Sequence, residues 1–488
     1  MTERTARPNL RGKRALLIGL GLHDGGSGVV RFLVREGADV TVTDRRDAAA
    51  LNAAIRSLDG LPVTYRLGGH EGIQVRDYDV VVRNPAVPTD APLLVEARAE
   101  GVPVEMEMTL FLAACPAPVI GVTGTKGKTT TALWTGRMLR EWKPETVIAG
   151  NMGISALDTL PAIRPETPVV LELSSFQLEA TGERGLSPHI AVITNLSPDH
   201  LDRYPGFDVY AEAKWAIARY QTTDDTLIVP TWPRGRGLTD PGLAFLDRHV
   251  GEARAHVVSF GALPPGTGYP PGSWWIEDAD TLLWADGDRS YPLGRGTDLA
   301  LPGSHNRINA CAAAAAALAY GAPVDAVRAG LRTFRGTPHR YEDLGVIRGV
   351  RFINDTAATA PAAAVAALET TPGPVILLAG GSDKGLDFTA LADAMLGAKA
   401  VILFDGRVPT PLEAMLKARD YAGTVIGPVR SMADAVTQAV SLARAGDTVL
   451  LSPGTASFGL FQNEFDRGDQ FRAIVEQLRH ETEHARGS

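Results

Sequence analysis

Short apolar runs recur along the chain, and a polar or glycine-rich turn and a segment of helical length follow most of them. Arg14-Ala15-Leu16-Leu17-Ile18 leads into Gly19-Leu20-Gly21 and a helical stretch near Val29 to Arg35, and Asp39 to Thr43 ends in Asp44. Pro118-Val119-Ile120, Val169 to Leu173 and Ile190 to Thr194 repeat the pattern, as do Val375 to Leu378, Ala400 to Phe404 and Thr448 to Leu451. Strand runs alternating with helices predict α/β layers around mostly parallel sheets. An alanine-rich helix is expected over 309 to 320, stopped by Gly321 and Pro323. The Gly/Pro-rich stretch 261 to 273 reads as a surface loop between irregular strands.

With 488 residues, the chain suits three domains. The expected divisions are 1–106, 107–336 and 337–488: a Rossmann-like unit, a central parallel sheet of P-loop ATPase type, and a second Rossmann-like unit. A net charge of −8 argues against nucleic acid or an anionic membrane as partner, so any anionic substrate must be held by local groups. The two cysteines, Cys115 and Cys311, read as small core residues in a reducing compartment. The N-terminal residues lack the apolar run of a signal peptide, and Ala310 to Tyr320 is too short to span a bilayer. A soluble, cytoplasmic protein without membrane insertion is expected.

The richest chemistry lies at 121 to 130, Gly-Val-Thr-Gly-Thr-Lys-Gly-Lys-Thr-Thr, between a strand and a helix. Backbone N–H groups of such a turn cradle phosphates, Lys128 adds a charge, and the Thr129 hydroxyl reaches a bound Mg²⁺. The general P-loop has a glycine where Val122 stands, so this turn is tighter: Thr123-Gly124-Thr125-Lys126-Gly127-Lys128-Thr129. Only 8 of the 48 basic residues are lysines, and two of them sit here, which weighs against a bland loop.

Glu172 ends a strand 44 residues after Lys128, where a carboxylate can hold Mg²⁺ directly or through water. Asn195 to Arg203 opens from the next strand with Asp199, His200 and Asp202, a cluster able to orient phosphate, carboxylate and metal, or simply to form a turn. Lys214 reads locally as a snorkelling surface lysine; pointed into the site, its ammonium would pair with phosphate, and binding Mg²⁺ would require converting it to an anion. His305-Asn306, His339-Arg340 and Asn354-Asp355 flank the second boundary, where groups can close over a nucleotide. In the first unit the third glycine of a dinucleotide fingerprint falls on Asp24, which leaves an NAD reading weak.

Together, Thr123 to Thr130, Gly150 to Gly153, Glu172 to Leu178, Asn195 to Tyr204, Lys214, Gly303 to Asn309, His339-Arg340 and Asn354-Asp355 resemble the Mur ligases, in the same order and over the whole chain. Among these the resemblance is strongest to members that add D-glutamate to UDP-N-acetylmuramoyl-L-alanine in peptidoglycan precursor synthesis. The resemblance implies an ATP-dependent ligase working through an acyl phosphate, with ATP, two Mg²⁺ ions and CO₂, the last held as a carbamate on Lys214. It implies catalytic roles for Lys128, Glu172, His200 and Lys214, and metal ligands in Thr129, Glu172, His200 and carbamylated Lys214. ATP would meet Gly124, Thr125, Lys126, Gly127, Lys128, Thr129, Thr130, Asn306, Arg340 and Asp355. The UDP-substrate would meet Leu22, His23, Asp44, Arg45, Asn151 and His200, and glutamate Thr359, Lys384 and Ser457.

A monomer that closes its domains over the substrates is expected. The chain departs from the family pattern at Ala357, where a lysine is familiar, at Asn463-Glu464-Phe465, where Asn-Phe-Glu is, and at Ala86, where a glycine is. These bear on the incoming amino acid, so an L-glutamate or folylpolyglutamate-type ligase is the alternative. A nucleotide-binding protein without turnover fits the combined motifs less well.

Overall fold

The computed structural model describes residues 9–487 except 22–23, 152–154, 202, 232–238, 264–269, 277–278, 287–288, 300, 302–303, 383–385, 407–410 and 458. The chain is an α/β protein with three sheets, and it divides into two compact units at Phe334/Arg335.

The first unit holds two sheets. Strands β1 (Arg14–Ile18), β2 (Asp39–Asp44), β3 (Val63–Leu67), β4 (Val80–Arg83) and β5 (Val104–Glu105) form a wholly parallel sheet in the order β3-β2-β1-β4-β5. The chain order reverses at β1, the switch point at which an open parallel sheet leaves a crevice beyond its strand ends.

The second sheet contains β6 (Val119–Thr123), β7 (Val147–Gly150), β8 (Val169–Glu172), β9 (Ile190–Ile193), β10 (Thr226–Pro230), β11 (His256–Leu263), β12 (Gly272–Ile276), β13 (Thr281–Asp286) and β14 (Arg289–Arg295). Its order is β14-β13-β12-β11-β10-β9-β6-β8-β7, parallel as far as β12 and antiparallel from there to β14. The expected loop at 261 to 273 is therefore partly strand: Gly261, Ala262 and Leu263 complete β11, and Gly272 and Ser273 open β12, paired in parallel with it. Residues 264–269 within that stretch lie outside the described residues.

One apolar core runs from the helix Asp24–Arg35 and strands β1 and β2 into the face of the second sheet that carries Leu171, Leu173 and Ile193. Ion pairs at the edge of this junction reinforce it, with half-buried Arg31 meeting both oxygens of Asp158 at 2.6 and 3.1 Å, and exposed Arg184 meeting buried Glu105 at 3.0 Å. The opposite face packs the helices Lys128–Arg140, Ser304–Ala319 and Val324–Thr333. Ala310 to Ala317 are fully buried there, because a run of small side chains lets the helix axis come close to the sheet.

The second unit, from Arg335, contains β15 (Glu342–Ile347), β16 (Val350–Asn354), β17 (Val375–Gly380), β18 (Ala400–Phe404), β19 (Thr424–Val429) and β20 (Thr448–Leu451), in the order β15-β16-β20-β17-β18-β19. Among these six strands the β15/β16 hairpin pairs antiparallel and the other neighbours pair parallel.

Candidate active site

The turn after β6 gains its shape from two glycines. Gly127 adopts φ +81° at the N-cap of the helix Lys128–Arg140, and a Cβ there would lie 2.4 Å from Asn309 Oδ1; Gly124 adopts φ +145°, where a Cβ would lie 1.9 Å from Thr194 Oγ1. Side chains are thus excluded at both points, and the neighbouring strand end and helix start close against backbone. Asn195 at the end of β9 holds the turn at both polarities: its Oδ1 accepts from Lys126 N at 2.9 Å and its Nδ2 donates to Lys126 O at 2.8 Å. Thr131 N donates to Gly127 O at 2.9 Å within the first helical turn, the end of the helix at which its dipole is positive.

The turn residues divide by what their side chains do. Thr125 is buried, bonded to Ser197 and 3.2 Å from the Tyr210 hydroxyl, and its backbone N–H donates to Asn195 O at 2.9 Å, which fixes the turn against the end of the neighbouring strand. Lys126 is exposed and pairs with Asp199 at 3.6 Å, while Lys128 Nζ donates to Thr125 O at 3.0 Å from the first helical turn it shares with Thr129 and Thr130. Burial works against ionisation of Asp199, but Lys126 and the His200 backbone N–H hold its carboxyl below the usual range.

Glu172 closes β8, next to β6, and is 2% exposed. Its Oε1 accepts from Asn151 Nδ2 at 3.2 Å, and among the described residues its buried Oε2 has no hydrogen-bond partner. An ionised oxygen buried without a partner is costly, and a hard cation is the partner that suits it.

Lys214 lies on the helix Phe207–Arg219 and is 2% exposed, so the snorkelling surface lysine read from its neighbours is corrected: Tyr210, Ala211, Lys214 and Ile217 form the buried face. Its Nζ lies 3.5 Å from Thr123 Oγ1 and 4.9 Å from the Tyr210 ring centroid. Burial, aided by Lys128 and opposed by Asp199 and Glu172, lowers its pKa to about 7. His200 is exposed, with φ +52°, and stands edge-on to Phe176 at 5.2 Å. Asn306 is buried near the start of the helix Ser304–Ala319, where its Oδ1 accepts from Asn309 at 3.3 Å.

Among the described residues no three His, Cys, Asp or Glu side chains converge as a ready metal cage. Glu172 Oε2 is a donor available in this region, and an unmodified Lys214 adds no anionic ligand to it.

At the first sheet, a cavity of about 670 Å³ opens beyond the ends of β1 to β4. It is lined by Gly19, Asp44, Arg45, His70, Asn84 and Ala86, among others. Asp44 Oδ2 accepts from Gly21 N at 3.3 Å and Oδ1 from Arg46 N at 2.9 Å. Its burial is outweighed by these bonds, and its pKa falls below the usual carboxylate range. Leu22 and His23 lie outside the described residues.

In the second unit Asp355 is buried after β16, accepting from Tyr341 N at 3.0 Å and Ser452 Oγ at 2.7 Å, and burial raises its pKa to about 6. Arg340 is exposed, Ser457 is buried and Thr359 is half-buried, while Lys384 lies outside the described residues. Arg467, fully buried, donates to Thr356 and Thr455 and so ties together the loops after β16 and β20. Arg467 did not stand out in the sequence, since its partners lie in loops distant along the chain.

Profile matches cover most of the chain: the MurD-like N-terminal domain of Mur ligases over residues 13–105, the Mur ligase middle domain over 122–317, and the Mur ligase glutamate ligase domain over 339–454. The chain is 48% identical to a UDP-N-acetylmuramoylalanine–D-glutamate ligase of Roseiflexus, over 96% of this chain and 99% of that one. It is 38% identical to the enzyme of that name from Symbiobacterium thermophilum, over 96% and 98%. Among solved structures, the UDP-N-acetylmuramate–alanine ligase MurC of Thermotoga maritima shares the fold, with a TM-score of 0.56 at 21% identity over 95% of this chain and 99% of that one. E. coli FolC, solved with ADP, does so at 0.51 and 19%, over 76% and 93%. The chain belongs to the Mur ligase family.

Proposed function

We propose that this chain is an ATP-dependent ligase that joins D-glutamate to UDP-N-acetylmuramoyl-L-alanine in the synthesis of peptidoglycan precursors. The observation that carries the reading is the juxtaposition, around one glycine-rich turn, of a buried lysine and a buried carboxylate oxygen that lacks a hydrogen-bond partner among the described residues. The names of relatives up to 48% identical over nearly the full length support the choice of substrates. Likeness to FolC is one of fold alone and does not favour the folylpolyglutamate alternative.

In the proposed reaction an oxygen of the alanyl carboxylate attacks the γ-phosphorus of ATP, ADP leaves, and an acyl phosphate forms. The amine of D-glutamate then attacks the acyl carbon; the tetrahedral intermediate expels phosphate, the nitrogen loses a proton, and an amide remains. Two anions must meet in the first step, so positive charge and oriented N–H groups dominate the demand on the protein. The turn from Gly124 to Thr130 takes the phosphates, with Lys128 beside them, and Asn306, Arg340 and Asp355 take the remainder of the nucleotide.

Bound Mg²⁺ supplies charge neutralisation at the phosphates. Thr129, Glu172, His200 and Lys214 as its carbamate are the proposed ligands of two such ions, and Glu172 Oε2 is the donor that suits one as it stands. Asp44, Arg45 and the neighbouring Leu22 and His23 are assigned to the uridine diphosphate, Asn151 and His200 to the muramoyl end, and Thr359, Lys384 and Ser457 to glutamate. We further assign the chain to the cytoplasm as a monomer; no described helix is long and apolar enough to cross a membrane.

The test is phosphate release from ATP in the presence of UDP-N-acetylmuramoyl-L-alanine with D- or L-glutamate. Release with D-glutamate is expected; release with neither would sink the reading, and release with L-glutamate alone would move the chain to a variant ligase.

A further inference from the structure

His70 closes the β3 side of the cavity over the first sheet, in the turn that follows Leu67. Its Nδ1 lies 2.8 Å from the hydroxyl of Thr43, a fully buried residue near the end of β2, and that same hydroxyl lies 3.2 Å from Gly69 O. A carbonyl only accepts and a threonine hydroxyl has one proton. A single assignment satisfies both contacts: His70 Nδ1–H donates to Thr43, and Thr43 donates to Gly69 O. The proton is then on Nδ1, and Nε2 carries a lone pair.

Among the described residues, no hydrogen bond or ion pair engages Nε2. With Nδ1 turned onto Thr43, Nε2 is the ring nitrogen left to the cavity. Burial and the nearby Arg45 lower the His70 pKa against the opposing pull of Asp44 and Glu71, which favours the neutral ring.

The topology indicates which part of a nucleotide meets it. On a sheet of this order the diphosphate lies over the glycine turn after β1 and the ribose at the acid ending β2. The base, on the far side of the ribose from the phosphates, falls toward β3 and His70. The inference rests on the uridine diphosphate lying in this cavity. We propose that His70 determines the base specificity of the enzyme: Nε2 accepts a hydrogen bond from uracil N3–H and disfavours cytosine, whose N3 is itself an acceptor.

The experiment is calorimetric titration of the full chain with UDP, CDP, 3-methyl-UDP and 2′-deoxy-UDP. A single neutral hydrogen bond, with an acceptor–acceptor clash in its place for the wrong base, predicts a preference for UDP over CDP of about 10-fold or more. Methylation at N3 should cost at least as much. In His70→Gln the amide can rotate to offer either polarity, so the UDP/CDP gap should narrow to within about 3-fold. His70→Ala should lose the N3-methyl penalty as well, with the 2′-deoxy-UDP ratio unchanged in both variants. A UDP/CDP gap indifferent to both substitutions, or a change confined to the 2′-deoxy ratio, overturns the proposal. Ala86→Phe, which fills the cavity, separates the two readings: if UDP binding ignores it, the cavity assignment fails and takes the inference with it. If UDP binding weakens there while the His70 variants keep their base preference, the specificity role alone fails.

Discussion

The carbamate on Lys214 can be tested through the pKa that its surroundings impose. CO₂ adds only to a neutral amine, and an ordinary lysine, with its pKa at 10.5, is neutral in roughly one molecule in 3,000 at pH 7. Burial brings Lys214 to about 7, so about half of the unmodified side chains are neutral, a gain on the order of 1,000-fold in reactive amine. With ¹³C-bicarbonate the wild type should therefore show a carbamate resonance that Lys214→Ala lacks. That variant should lose activity by about 100-fold or more and recover part of it with acetate or formate, which restore a carboxylate at the site.

Stability should move the other way. The folded pKa lies below the unfolded one, so the unmodified lysine penalises folding fully below about pH 7, and the penalty fades as pH rises toward 10.5. In CO₂-depleted buffer Lys214→Met should gain about 2 to 5 kcal/mol at pH 7 and nothing at pH 10.5. Full activity in Lys214→Ala, or a wild type that works with no labelled carbamate, would refute the reasoning.

Gly127→Ala meets both a positive φ and the Asn309 side chain, so it should weaken ATP binding by at least about 10-fold in a nucleotide titration while the fold stays intact by circular dichroism. Glu107 is buried at the junction of the two sheets of the first unit; burial raises its pKa to about 7 even though it accepts bonds from Ser155 Oγ and Ala156 N. A raised carboxyl stabilises most below its unfolded value of 4.5 and loses that contribution as pH passes 7. The unfolding free energy of the wild type in urea titrations should thus fall relative to that of Glu107→Gln by about 2 to 3 kcal/mol between pH 4.5 and 8. Arg83 is fully buried, and Glu179 faces it at 3.5 Å while also accepting from the Tyr204 hydroxyl. Glu179→Ala leaves the buried cation uncompensated and should cost about 3 kcal/mol or more, whereas Arg83→Met should cost about 1 kcal/mol or less in the same denaturation assay.

Arg14–Ile18, Ala400–Phe404 and Thr448–Leu451 were legible in the sequence because each reads as an apolar run buried on both faces over nearly its whole length, and they keep those limits in the structure; the half-exposed parallel strands Val63–Leu67 and Thr424–Val429 gave no such run and were not read. The phosphate turn was legible because its chemistry is local, confined to consecutive backbone groups. The end of β11 and the start of β12 were harder, since the Gly and Pro residues of 261 to 273 read as loop while pairing across strands supplies the order.

Lys214 was misread from its immediate neighbours, although Tyr210, Ala211, Lys214 and Ile217 recur at helical spacing and the period alone places the lysine on the buried face. Nothing local marks Arg467, Glu107 or the Thr43–His70 pair. Each takes its role from a partner on another element, 111, 48 and 27 residues away, and those meetings are fixed only by the tertiary fold.

The central claim is that ATP activates a carboxylate rather than water. The direct measurement is the fate of ¹⁸O placed in the alanyl carboxylate of UDP-N-acetylmuramoyl-L-alanine during turnover with ATP and D-glutamate. An acyl phosphate predicts one ¹⁸O in each phosphate released and one retained in the amide product. Phosphate with no ¹⁸O, its fourth oxygen taken from solvent, would contradict the account.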